Sequence, residues 1–408
     1  MSVSRSSPQS GAGGRRAVTL LCVLLIFGAE TLFAATLPLF GEVLGYADPV
    51  LIGLALSLSS GVGFLLLPFF VRAIDGGRMR SLMLMCASLM LLSCLLVMQS
   101  NELGVVALLV GSLVFGAARI VGVVGLLAMV ARIPGSRTAN QGWNGGLQRL
   151  GSMIALLVGG VLFASENWAG VFVMLMVMIA LWWLFADRSA KMSDAQVTRK
   201  VRREQPGRWL LALACVAALR SRRVLAAAAL TILILLVLMH GNAFFTMAFA
   251  GEIDATALSS LVVTTIVLRD GVAVVGGVLY PFVLQRIGSR GMLWALAVLA
   301  VLPMPLMILA PSAAVPGAFL AAVASGLMVG GGSATANLLA AGADSAGAGL
   351  RIAASQLPAG IFLLVAPFAF GGAVLELGIQ AAYGMLLLVL AVGGSLMLRA
   401  SRGADLAA

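Results

Sequence analysis

The sequence predicts an all-α membrane protein with twelve transmembrane helices in two six-helix bundles. Three observations point there. First, 61% of the 408 residues are hydrophobic and 10% are charged, with a mean hydropathy of +1.10, whereas about a quarter of a soluble domain is charged. Second, the chain holds twelve apolar stretches, each matching the roughly 20 helical residues that cross a hydrocarbon core of about 30 Å. Third, the long polar connection 187–222 falls after the sixth stretch and divides the chain into similar halves. None of these stretches shows the alternating polarity of a barrel strand. The 48 glycines are dispersed among Leu, Val and Ala, as expected of close helix packing in lipid.

Residues 1–16, rich in Ser, Gly and Arg, are expected to form a disordered tail. Span 1 (17–39) is too long for a signal-peptide core and lacks a cleavage site, so it counts as a helix; it carries Glu30, followed by Leu37-Pro38-Leu39. Span 2 (49–71) leads into the connection Asp75-Gly-Gly-Arg-Met-Arg80, which holds Arg78, and then into span 3 (81–99). Span 4 (103–130) has Arg119 near its middle. Span 5 (141–164) carries Asn144, Gln148 and Arg149, then the glycines Gly151, Gly159 and Gly160. Span 6 (168–186) completes an N-terminal bundle over 17–186.

Beyond the 187–222 linker, span 7 (224–249) carries His240 and Asn242, and span 8 (257–283) carries Arg269 and Asp270. The connection Gln285-Arg286-Ile-Gly-Ser-Arg290 leads into span 9 (291–310). Span 10 (315–341) holds Ser333 and Asn337, and span 11 (349–372) holds Arg351 and Gln356. Span 12 (377–398) completes a C-terminal bundle over 223–398, leaving 399–408 as a second tail.

With the N-terminus inside, Lys and Arg fall on the inner connections, among them Arg72, Arg132, Arg137 and the 199–203 run. The outer connections hold Glu42, Asp48, Glu102, Glu166, Glu252, Asp254 and Glu376 with no basic residue. This positive-inside asymmetry places both termini in the cytoplasm. The net charge of +11 is thereby a matter of topology, and no nucleic-acid partner is expected. Cys22, Cys86, Cys94 and Cys215 have no pairing or metal spacing.

Charge at bilayer depth costs about 2.5–3.5 kcal/mol per residue on insertion scales, so Glu30, Arg119, Arg269 and Asp270 demand a reason. Burial tightens a carboxyl's hold on its proton and an approaching guanidinium loosens it, so Glu30 is a candidate proton carrier with Arg119 as its modulator. The alternative is a static pair between spans 1 and 4. Asp270 is a second proton or substrate site, or else an ion pair within its own bundle. Arg149, Gln148 and Asn144 either line a substrate cavity or, for Arg149, reach cytoplasmic water. Arg119, Arg269, His240, Asn242, Asn337 and Gln356 are further lining candidates. Buried Arg outnumbers buried carboxylate, which favours an anionic or carboxylate-bearing substrate.

The Asp75–Arg80 and Gln285–Arg290 connections resemble the Asp-Arg-x-Gly-Arg-Arg signature of the major facilitator superfamily, with Gly76 and Gln285 departing from it. Two six-helix halves around a long central loop are similar to that family as well. The resemblance implies the major facilitator fold, a monomer, and alternating access by two rocking bundles around a midplane site. It also implies that Asp75 latches the cytoplasmic ends near the start of span 11, with Arg351 as a partner and Arg78, Arg80, Gln285, Arg286 and Arg290 around it. The Gly151–Gly160 stretch resembles the glycine motif of antiporters, with Ala155 and Leu156 replacing its central Gly-Pro. Arg119 and the Glu30-to-Leu-Pro pattern resemble proton-coupled drug exporters.

Other classes fit poorly. One His, no HExxH and no CxxC leave no metalloenzyme site. The two lysines, Lys191 and Lys200, are in no phosphate-binding loop, so the expected driving force is a proton gradient, with no cofactor. The expectation is a multi-pass transporter of the bacterial-type cytoplasmic membrane, in contact with lipid and protons. It would export a small organic molecule, such as a drug, secondary metabolite or siderophore; the alternative is an importer or facilitator of a sugar or organic acid.

Overall fold

The computed structural model describes residues 9–44, 49–133, 135–194, 208–239, 255–309, 314–342 and 347–402. In the first half the helices are α1 (Gln9–Val43), α2 (Pro49–Ser60), α3 (Val62–Asp75), α4 (Met79–Met98), the single turn α5 (Ser100–Leu103), α6 (Val105–Ala131), α7 (Arg137–Ala164) and α8 (Trp168–Asp194). In the second half they are α9 (Arg208–Ala218), α10 (Arg222–Met239), α11 (Ala255–Val301), α12 (Met304–Leu309), α13 (Ala314–Ala341), α14 (Ala348–Leu377) and α15 (Ile379–Ala400).

Within the described residues the twelve apolar stretches are helical apart from short breaks, spans 2 and 9 each lying on two helices. By length and apolarity, ten of the described helices can cross a membrane, or eleven if the bent pair α9–α10 is one span. The count falls short of twelve partly because α11 contains both span 8 and span 9. Gly288 (φ 70°, ψ 174°) breaks it between them, a backbone state that favours glycine.

Two expectations are corrected. Helix α1 begins at Gln9, so the tail is helical well before residue 17. The 187–222 linker is largely ordered within its described residues: α8 runs on to Asp194, and 208–218 forms α9, bent 80° from α10. Helix α9 is apolar on both its buried and its exposed sides. Leu211 and Cys215 are buried while Trp209, Leu210 and Leu213 are exposed, and α9 touches both α3 and α14.

In the first half α1 packs on α7 and α8, and α4 on α6 and α8; in the second, α13 packs on α11 and α10. The halves meet where α7 lies against α11 and α13, and where α14 lies against α3. Small residues set these distances. A Cβ on Gly151 would overlap the Leu24 carbonyl of α1, and one on Gly159 would come to 2.5 Å from Leu32 Cδ1, whereas Gly160 has open space. Two of the three glycines of the span-5 series therefore hold α7 onto α1.

Gly151→Ala is expected to cost about 1–3 kcal/mol, the usual penalty of overpacking, and Gly160→Ala nothing measurable. Thermal unfolding of the purified variants checks this; equal melting temperatures would exclude the α1–α7 contact as a stabilising one.

Candidate functional site

Two buried polar clusters lie at depth, one inside the first half and one at the seam. Arg119 on α6 donates through Nη1 to Glu30 Oε1 on α1, and through Nη2 to the Ser59 carbonyl at 3.4 Å. Gly116, a turn before Arg119, makes this reach possible, since a Cβ there would overlap the Ser59 carbonyl. The Arg119 side chain is 9% exposed and that of Glu30 28%. Glu30 Oε2 and Arg119 Nε have no partner among the described residues. Phe33 and Phe115 stack at 3.7 Å on the same two helices, giving the pair an apolar wall.

The second cluster is built by α7 and α11. Gly142 and Gly146 of α7 sit so tightly on Gly277 of α11 that a Cβ on Gly277 would come to 2.5 Å from Gly146 N. Gly146 also faces Val274. Carrying this antiparallel register one turn further sets Arg149 opposite Asp270, and the Arg149 guanidinium is attracted by Asp270 and repelled by Arg269. Arg269 donates through Nε to Asp270 Oδ1 at 2.9 Å, and both residues are buried. Asp270 Oδ2 and Arg149 Nε lack partners among the described residues. Arg149, half-buried, therefore stands at the seam beside Asp270.

Gln141, Asn144, Gln148 and Ser152 continue the polar face of α7 at spacings of three, four and four, all buried. Asn144 donates to Gln141 Oε1 at 3.2 Å and keeps its own Oδ1 unpartnered, while Ser152 accepts from Thr31 on α1 at 2.8 Å. Gln141, Ser152 and Thr31 escaped the sequence reading. The 3–4–4 spacing was the available signal for the α7 pair, because it repeats the helical period.

Asp75 joins the halves at the end rich in basic connections. Its Oδ1 accepts from Gly349 N at 3.1 Å and its Oδ2 from Leu350 N at 2.9 Å. It thus serves two of the N–H groups that open the first turn of α14 and lack carbonyl partners. Its hydrogen-bonded guanidinium is Arg132 of α6's end, at 2.6 Å, with Arg351 attracting it from further off. Gly347, left-handed at φ 68°, turns the chain so that the next N–H groups face Asp75. Arg351 instead donates to the Ala340 carbonyl at 3.0 Å and to that of Ala341, tying α14 to α13. Arg137 adds a second link between the halves, to the Gly342 carbonyl at 3.1 Å. The gap left beside it, bordered by Gln141 and Leu338, is about 10 Å³, room for about one water. This end is closed.

The other latch candidates are elsewhere. Arg80 stays in its own half, pairing with Asp187 at 2.5 Å, because α8 extends far enough to bring that carboxylate over α4. Arg78, Gln285, Arg286 and Arg290 are exposed, so none bridges the halves through a buried contact. Asn337 is buried on α13 and Gln356 half-buried on α14. His240 and Asn242 lie outside the described residues.

No curated protein sequence matches the chain significantly. Among solved structures, the human organic anion transporter MFSD10 (TETRAN) aligns with a TM-score of 0.70 at 18% identity, covering 96% of this chain and 100% of that one. A bacterial homologue of the iron transporter ferroportin, in an outward-facing state, aligns at 0.75 and 13%, covering 95% and 99%. The proton:xylose symporter XylE bound to 6-bromo-6-deoxy-D-glucose aligns at 0.68 and 13%, covering 97% and 96%. At such identities these likenesses establish the fold. The family model for the Major Facilitator Superfamily matches residues 19–362, and this transporter of two helical bundles belongs to the Major Facilitator Superfamily.

Proposed function

We propose that this protein is a proton-driven exporter of a small organic anion, such as a carboxylate-bearing drug, secondary metabolite or siderophore. One observation carries the reading: two buried acid–guanidinium clusters, Glu30–Arg119 within the first half and Arg149–Asp270–Arg269 across the seam. The first is suited to coupling. When Arg119 moves away, a carboxyl left among apolar residues takes up a proton, and the returning guanidinium expels it. The second carries two guanidiniums against one carboxylate at a surface shared by both halves. Bidentate Arg contacts suit a carboxylate there. The likeness to a human organic anion transporter supports the same substrate class.

On this reading the basic end, closed by Asp75 and Arg137, faces the cytoplasm together with both termini, and the chain acts as a monomer in the cytoplasmic membrane. Substrate passes as the two bundles rock about the seam.

Everted vesicles energised to an acidic interior test the proposal. With a pH-quenched dye, an organic anion that is a substrate restores fluorescence, and Glu30→Gln abolishes that response. Recovery that persists in Glu30→Gln would remove Glu30 as the carrier. Recovery with sugars but not with anions would keep proton exchange and overturn the substrate class, and no recovery with any compound would favour an importer or facilitator, to be followed by labelled uptake.

A further inference from the structure

The two halves have corresponding connections between their second and third spans, and their surroundings differ in charge. In the first half, Arg80 pairs with Asp187, and Asp194 accepts from the backbone N–H groups of Met79 and Arg80 at 3.0 and 3.2 Å. The sixth span, α8, thus brings two carboxylates to the start of α4. In the second half, the register of the repeated connection puts Arg290 where the first has Arg80. The sixth span there, α15, ends in Arg399, with Arg402 just beyond. Arginine has replaced the acids.

These three arginines line a cavity of about 520 Å³ with Leu293, Trp294 and Leu398. No carboxylate among the described residues pairs with any of them. Three like charges around one cavity repel one another. Complementing the C-terminal dipole of α15 accounts for Arg399 and Arg402, but Arg290 is on a different helix and is left without that explanation.

We propose that this cavity binds the phosphate headgroup of an anionic phospholipid. Guanidinium forks match phosphate oxygens in pairs, and basic pockets between membrane helices at the cytoplasmic boundary take such headgroups. The cavity wall continues into an apolar surface. Trp294 is 53% exposed, and Val298, one turn further into the membrane, and Leu396 are also open. A lipid would lay an acyl chain along that track, whereas a free phosphate has no use for it. The bound phosphate then does for Arg290 what Asp187 does for Arg80.

Native mass spectrometry of the full-length protein, exchanged into detergent with equal phosphatidylglycerol and phosphatidylcholine, tests the assignment. Wild type is expected to retain the anionic lipid at least fivefold over the neutral one. The Arg290→Gln/Arg399→Gln/Arg402→Gln variant is expected to lose that preference, while the corresponding triple Lys variant keeps most of it and shows that the fold survives. Removing equal charge at Arg220, Arg222 and Arg223 leaves the preference intact. Equal retention of both lipids, or equal loss in both charge-removal variants, overturns the site. If inorganic pyrophosphate at millimolar concentration displaces the lipid and stabilises the protein against heat as well as the lipid does, a free phosphate is the ligand and the lipid assignment falls.

Discussion

Replacing Gly277 with valine is expected to reduce transport at least tenfold while each bundle stays folded. The atoms that a Cβ at this position would strike are Gly146 N at 2.5 Å, Gly142 O at 2.8 Å and Gly146 Cα at 2.8 Å, all backbone of the opposite half. Backbone cannot swing aside as a side chain can, so the halves themselves must move apart. Overpacking of this kind costs about 1–3 kcal/mol, and every 1.4 kcal/mol is about tenfold in a population. The penalty falls only on the state in which α7 lies on α11. It also separates Arg149 from Asp270, two turns along α11 from Gly277. Spin labels at positions 78 and 286, one on each half at the basic end, are expected to report longer distances. The melting temperature should change little, because no contact within a bundle is touched. Gly384→Val, at a position with open space around it, should behave as wild type. A Gly277→Val protein with wild-type distances and flux would mean that the seam is not a moving contact.

The architecture was legible because lipid imposes a one-dimensional rule: each span must be apolar for about 20 residues. Glu30, Arg119, Arg269 and Asp270 stood out by breaking it. Residues that join elements do not break it. Arg132 and Arg137 read as two more cytoplasmic arginines, yet one completes the Asp75 cluster and the other crosses the seam. Arg351 was the nearest arginine to Asp75's expected partner helix, and the left-handed turn at Gly347 directs backbone rather than side chain towards the acid. No sequence pattern announced that.

Glycine poses the same difficulty on a larger scale. Composition showed that 48 glycines favour close packing, but Gly151 holds α7 to α1, Gly277 meets the opposite half and Gly160 touches nothing. These roles depend on which helix lies alongside, which periodicity does not encode. Helix α9 was missed for another reason. Its eleven residues are too few to span a bilayer and are flanked by arginines, so they resembled linker. Its buried face, Leu211 and Cys215, is an apolar pair at helical spacing.

Asp75→Ala is expected to shift the protein about a hundredfold away from the state closed at the basic end. The carboxylate gathers two N–H groups from the first turn of α14 and the Arg132 guanidinium. Hydrogen bonds to charged groups contribute about 1.5–3 kcal/mol each. Some of this returns when the freed groups are hydrated, so a net loss of about 3 kcal/mol is reasonable, or about a hundredfold in population. The two N–H bonds are lost from the closed state alone, because only there do α3 and α14 share the carboxylate, whereas the Arg132 pair lies within the first half and is lost from both states. Three companions separate charge from geometry. Arg132→Gln leaves the α14 end served by Asp75 and should shift the balance less. Asp75→Asn keeps one acceptor and should fall between. Gly349→Ala retains every charge, but its Cβ would overlap Ile74 Cγ2 and come to 2.7 Å from Asp75 Oδ1, so it should open the latch nearly as far as Asp75→Ala. Distances between the labels at 78 and 286 measure all four. If Gly349→Ala opens the latch and Arg132→Gln does not, the helix end is the main partner of Asp75; the reverse order would make the latch an ion pair within the first half, with α14 only resting upon it.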